Sequence, residues 1–196
     1  IYNGISNLED INQFASKKNY VITLANLSQR KGYFEYLEVI NSVVGDIPDA
    51  KFLFLGHDYL NGQVQKTIEE FSLTDNVKYM GFQANVSKYL RQSTIFVLPS
   101  LYGEGCPTSI LEAFSHKLPV VAYHIDGIPE LVSHNDDGML IEPSDKDGFS
   151  NAIKNLLLNP NIANKMGSKG YIKVKKSWSC WHLRSFSNWP IGFMYR

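Results

Sequence analysis

Short apolar runs alternate along this chain with stretches of helical period, and that alternation leaves few folds open. Residues 20–25, 51–56, 77–80, 95–100, 119–123 and 138–141 read as strands. Several are near-continuously apolar, such as Ile95-Phe96-Val97-Leu98, the pattern of strands buried on both faces of a parallel sheet. Between and after them, residues 31–44, 63–71, 86–91, 108–116, 146–158 and 162–175 carry helical patterns. Strands joined through right-handed helical crossovers predict an α/β, Rossmann-like, doubly wound parallel sheet. Ligands of such sheets lie beyond the carboxyl ends of the strands.

Composition narrows the function. At 196 residues and 44% hydrophobic, the chain can bury one substantial core. Nineteen Lys and Arg balance nineteen Asp and Glu, so no basic excess points to nucleic acid. Two cysteines, Cys106 and Cys180, without paired Cys or His spacing, argue against a zinc site or a disulfide framework and for a cytoplasmic setting. No run approaches the roughly 18 apolar residues of a membrane span. The chain opens on Ile1-Tyr2-Asn3-Gly4 without Met, which reads as a piece of something longer. Residues 1–177 form one expected unit. Residues 178–196 stand apart, because they hold all three tryptophans, Trp178, Trp181 and Trp189.

The segment Glu104-Gly105-Cys106-Pro107-Thr108-Ser109-Ile110-Leu111-Glu112 sets one carboxylate in a strand-to-helix turn and another in the helix that follows. Pro107 has no N–H, so the loop donors are Gly105, Cys106 and Thr108. Ser109-x-x-Glu112 also matches a capping box, in which the glutamate merely satisfies a backbone N–H. Cys106 has no histidine near it in sequence to serve as a base and is a poor nucleophile candidate. Asp136 and Asp137 read as a solvated turn, and Lys165, Lys169, Lys173, Lys175 and Lys176 as the solvated face of a basic helix, with contact to an anionic membrane surface, at the inner face, as the alternative.

Taken in order, Leu27-Ser28-Gln29-Arg30-Lys31-Gly32, the strand end at Gly56, Leu98-Pro99-Ser100, Glu104 to Glu112, and Gly127-Ile128-Pro129-Glu130 resemble the carboxyl-terminal, nucleotide-sugar-binding domain of retaining GT-B-fold glycosyltransferases of family 4, group 1. The resemblance covers roughly residues 1–175, with Asn3-Gly4-Ile5 similar to the interdomain linker. It implies one half of a GT-B fold whose amino-terminal, acceptor-binding half lies outside this chain. The implied activity is glycosyl transfer, with retention, from a nucleotide-diphosphate sugar to an acceptor hydroxyl, in polysaccharide or glycoconjugate assembly. It implies no metal, since no Asp-x-Asp stands in the strand-end loops. By the same resemblance, Lys31 meets the diphosphate, with Arg30 as a second cation. Glu112 accepts the ribose hydroxyls and Glu104 holds the sugar hydroxyls. Gly105, Cys106 and Thr108 offer N–H groups, Gly56 closes a strand end, and Gly81 and Phe82 border the base, though Phe82 also suits a core or turn role.

Two departures qualify this. Where many relatives carry Gly-Arg-Leu, this chain has Ala25-Asn26-Leu27, so a neutral amide, Asn26, replaces a cation at the diphosphate. The frequent Gly-Gly before Ile-Pro-Glu is Asp126-Gly127 here, and Asp126 reads as a turn former, with a loop acid near the pocket as the alternative. A nucleotide-binding or assembly module without catalysis is therefore the alternative, and an epimerase of GT-B architecture a lesser one. The aromatic tail matches nothing in the family pattern, and an altered reading frame competes with domain packing as its explanation.

Overall fold

The computed structural model describes residues 20–183, and side chains through residue 176. The expected Asn3-Gly4-Ile5 linker lies outside these residues. Six parallel strands are ordered β3-β2-β1-β4-β5-β6: β1 (Tyr20–Leu24), β2 (Lys51–Leu55), β3 (Val77–Tyr79), β4 (Ile95–Leu98), β5 (Val120–Tyr123) and β6 (Gly138–Ile141). The crossovers are α1 (Tyr33–Asp46), α2 (Gln63–Glu70), α3 (Ser87–Leu90), α4 (Thr108–Ser115) and a short α5 (Ile128–Leu131), followed by α6 (Lys146–Leu158) and α7 (Pro160–Leu183). The doubly wound sheet is as expected. The direction of winding reverses between β1 and β4, whose backbones pair only at Val21 opposite Ile95 and Ile22 opposite Phe96.

Side chains alternate between two cores because successive strand residues point to opposite faces. Val21, Phe52, Phe54, Ile95 and Val97 pack under α1, α2 and α6. Ile22, Leu53, Leu55, Phe96 and Leu98 pack under α4 and the middle of the long α7, at Val174. Both faces being covered explains why these strands are apolar throughout. Each fully buried Phe, Leu or Ile contributes roughly 1.5–3 kcal/mol.

Three local features differ from the sequence expectations. Lys31 does not begin α1: Gln29–Lys31 forms a 3-10 turn, and Gly32, left-handed at φ 63°, starts a new helix behind it. Helix α7 runs on to Leu183, past the expected helix end at residue 175, so Trp178 and Trp181 lie on its backbone; their side chains, and Trp189, lie outside the described residues. Asp137 is not solvated. It is 1% exposed, accepts the Ser133 N–H at 2.7 Å and is ion-paired with Lys173, while Lys169 pairs with Asp136. Two lysines of the basic helix are thereby fastened to the loop before β6, Lys173 because the buried Asp137 carboxylate demands a partner and Lys169 through the exposed Asp136. Asp137→Ala should cost about 1–3 kcal/mol by leaving the Ser133 N–H without its acceptor and Lys173 without its ion-pair partner, whereas Asp137→Asn, which keeps an acceptor for Ser133, should cost less. Paired thermal melts check this; equal midpoints for both variants would contradict it. No helix among the described residues is long and apolar enough to cross a membrane.

Candidate functional site

At the carboxyl edge of the β1/β4 junction, two chain segments 73 residues apart meet. The 3-10 turn is seated on the β4–α4 loop by the Leu101 N–H, which donates to the Arg30 carbonyl at 2.9 Å. Gly32 lies so close to that loop that an added Cβ would stand 2.3 Å from the Pro99 carbonyl oxygen. This contact aims Lys31 inward. Its side chain, only 10% exposed, forms a short ion pair with Glu104, itself 5% exposed. The Ser100 hydroxyl donates to the same Glu104 oxygen, and Arg30 stands 3.8 Å from it. Burial pulls the Lys31 pKa below its ordinary value, and the Glu104 carboxylate opposes that shift.

The loop backbone is held as firmly as the acid. Arg30 donates to the Gly103 carbonyl at 2.9 Å, and the N–H groups of Gly103 and Glu104 donate to Asp126 at 2.7 and 3.0 Å. The Gly127 N–H donates to the Glu104 carbonyl at 2.9 Å, and a Cβ at Gly127 would fall 1.8 Å from the Gly105 oxygen. Beyond this clamp the N–H groups of Gly105, Cys106 and Thr108 donate to no acceptor among the described residues. They sit at or just before the start of α4, where orphan helix donors favour anions. Cys106 is an exposed free thiol.

Glu112 lies further along α4. The helix is capped by Pro107 without a side-chain hydrogen bond, so the capping box does not form. Among the described residues, none donates to the Glu112 carboxylate, and burial raises its pKa. The carboxylate of this half-buried acid is therefore not engaged by another described side chain or backbone N–H.

A second group lies at the ends of β1, β2 and β3. The Asn26 side chain accepts the His57 N–H at 3.0 Å, so its oxygen is engaged in tying two strand-end loops. The Gly56 N–H donates to the Gly81 carbonyl at 3.0 Å. Phe82 is not in the core: it is 59% exposed and stacks on His57, ring centroids 4.7 Å apart and planes within 8°. Of the residues read from sequence, Arg30, Lys31 and Glu104 converge in one cluster, and Asn26, Gly56, Gly81 and Phe82 gather in the other. Gly105, Cys106, Thr108 and Glu112 line the loop and helix leaving the first.

Ser100, His57 and Asp126 were not singled out as site residues. Ser100 carried a signal, since it stands four residues before Glu104 at a strand end. Asp126 was read first as a turn former and only second as a loop acid near the pocket, because its partners are more than twenty residues away. Among the described residues, no group of three or more His, Cys, Asp and Glu side chains is arranged to hold a metal ion.

Known proteins share this arrangement of elements. The C-terminal domain of a group 1 family glycosyl transferase, LpcC from Francisella tularensis, superposes with a TM-score of 0.73 at 21% identity, covering 83% of this chain and 87% of that one. Anabaena HepE, solved in complex with UDP, gives 0.75 at 21% identity, over 82% of this chain and 44% of its own. Among sequence relatives, the amylovoran biosynthesis glycosyltransferase AmsK of Erwinia amylovora is 33% identical over 132 residues, 64% of this chain and 32% of that protein. The UDP-Gal:alpha-D-GlcNAc-diphosphoundecaprenol alpha-1,3-galactosyltransferase of Escherichia coli is 30% identical over 171 residues, 82% of this chain and 44% of that one. The chain thus spans less than half the length of these two relatives. Its fold is one half of the GT-B architecture. The profile of the glycosyl transferases group 1 family matches from residue 5 to residue 173, so the chain belongs to that family.

Proposed function

We propose that this chain is the donor-binding half of a retaining glycosyltransferase, holding a nucleotide-diphosphate sugar across the β1/β4 junction. The observation that carries the reading is the convergence of Lys31 and Glu104 beside an α4 start whose N–H groups are unoccupied. Lys31, Arg30 and the N–H groups of Gly105, Cys106 and Thr108 take the diphosphate charge, and we assign that work to them rather than to a metal ion. Glu112 accepts the ribose hydroxyls with its unpartnered carboxylate, Glu104 orients the sugar, and Phe82 on His57 offers a flat wall to the base. Similarity to proteins solved with UDP, or acting on UDP-Gal, favours a uridine donor.

In the reaction, the bond between the anomeric carbon and the bridging phosphate oxygen breaks, and the electron pair leaves with the nucleoside diphosphate. The acceptor oxygen bonds to the same face, and its proton passes to the departing phosphate. Charge grows on that phosphate as the bond stretches, so donors already aimed at it lower the barrier. Glu104 is engaged with Lys31 and Ser100, which suits a positioned hydrogen-bond acceptor rather than a nucleophile. The acceptor-binding half completes the site and closes over the donor.

Calorimetric titration with UDP, GDP, ADP and their sugars tests the reading. One nucleotide class should bind, and Glu112→Ala should weaken every member of that class about 10- to 100-fold, the worth of one or two hydrogen bonds to a charged group. Nucleotides that bind equally with and without sugar would instead mark a nucleotide module. If the chain bound none, with Glu112→Ala indistinguishable, the donor-site reading of this half would fall.

A further inference from the structure

We propose that Asp126 is a positioning residue for Glu104, acting from the β5–α5 loop to fix the direction in which the acid's side chain leaves its own loop. All four backbone polar groups of the Gly103-Glu104 pair have partners beyond the β4–α4 loop. Asp126 Oδ2 accepts both N–H groups, Arg30 donates to one carbonyl and Gly127 to the other. With the backbone held on every side, the Glu104 carboxylate is directed into the buried corner shared by Lys31 and Ser100.

The backbone of Asp126 supports the assignment. It adopts φ 46°, in the left-handed region that a non-glycine residue occupies at a cost. Aspartate tolerates that region better than most residues, and here its side chain collects two hydrogen bonds in return. A glycine would adopt the same φ freely and hold nothing, so the carboxylate is what the position adds.

Asp126 also sets which donors remain for a ligand. It consumes the N–H groups of Gly103 and Glu104 and leaves those of Gly105 and Cys106 open. Its negative charge is thereby satisfied by the loop, rather than facing a bound anion.

The effect on donor binding rests on the donor-site reading above, whereas the positioning of Glu104 against Lys31 does not, and two measurements separate them. The first needs no ligand: trace acetylation of Lys31 alongside amide exchange at Gly103 and Glu104, in the wild type, Asp126→Asn and Asp126→Ala. In Asp126→Ala the two amides should exchange about tenfold faster and Lys31 should acetylate several-fold faster, about what a lost charge-assisted bond allows. Asp126→Asn, whose side-chain oxygen still accepts both N–H groups, should return both rates to within about threefold of wild type. Lys31 reactivity that is the same in all three proteins overturns the proposal, even if the amides exchange faster, because Asp126 would then hold only the loop.

The second measurement titrates the same proteins with UDP and UDP-glucose. Asp126→Ala should lose the affinity difference between the two ligands while UDP itself changes little. A wild type that does not distinguish them counts against the donor-site reading, and the Lys31 measurement still decides the role of Asp126.

Discussion

Gly32→Ala should lower the thermal midpoint of this chain on the order of 10 °C and release the site at the same time. The backbone there is left-handed at φ 63°, and the added Cβ would meet the Pro99 carbonyl oxygen at 2.3 Å and the Leu101 side chain at 3.0 Å. A left-handed L-residue costs roughly 1–2 kcal/mol and overpacking a further 1–3 kcal/mol. For a domain of this size each kcal/mol moves the midpoint about 2–4 °C. The obstacle is a strand-end carbonyl, which cannot swing aside as a side-chain tip would. Relief therefore separates the 3-10 turn from the β4–α4 loop and draws Lys31 away from Glu104. Circular dichroism melts and Lys31 acetylation check both consequences. A midpoint within 2 °C of wild type would show that the turn moves freely.

Glu104→Ala should cost about 3 kcal/mol, near the lower bound for breaking a buried ion pair, because it strands the Lys31 ammonium where water scarcely reaches. Lys31→Met should cost less, since it removes the buried charge and leaves Glu104 with the Ser100 hydroxyl and Arg30 nearby. The double variant should then be more stable than Glu104→Ala alone. The pH dependence follows from the lowered Lys31 pKa. The folded chain binds fewer protons at Lys31 than the unfolded chain, so stability rises with pH in the window below the ordinary value of 10.5. Without Glu104 to oppose the burial, that slope should steepen. Urea unfolding of the three variants across this window measures it, and strictly additive costs with unchanged slopes would contradict the coupling.

The sheet was legible because its central strands are buried on both faces and so cannot be mistaken for half-exposed ones; residues 95–98 and 120–123 announced themselves by composition alone. Lys31, Glu104 and Glu112 were picked out by the family resemblance, and the structure brings Lys31 and Glu104 into contact at the carboxyl edge of the sheet. The structure adds that the capping-box reading of Glu112 fails because Pro107 caps α4. What stayed hidden depends on contacts between distant loops. Nothing near Asp126 in sequence tells that its carboxylate reaches Gly103, and nothing near Asp137 tells that Lys173 reaches back to it. The one-turn α5, Ile128–Leu131, was not read as a helix, although α3, equally short, was expected within 86–91. The end of α7 was misjudged because the tryptophans looked like a change of composition, while the backbone simply carried the helix through them.

The backbone ladder between β1 and β4, Val21 with Ile95 and Ile22 with Phe96, is the shortest in the sheet and divides it into two lobes, which the packing of α1 on α6, with Tyr36 against Phe149, also holds together. Each lobe supplies part of the proposed site: Lys31 and Phe82 come from one, Glu104 and Glu112 from the other. Under the proposed function, a donor lying across that line would act as a rivet, adding cohesion where the strand ladder is shortest. Filling the site and fastening the lobes are then the same event, and a chain whose lobes have not yet joined offers the donor only half of its grip.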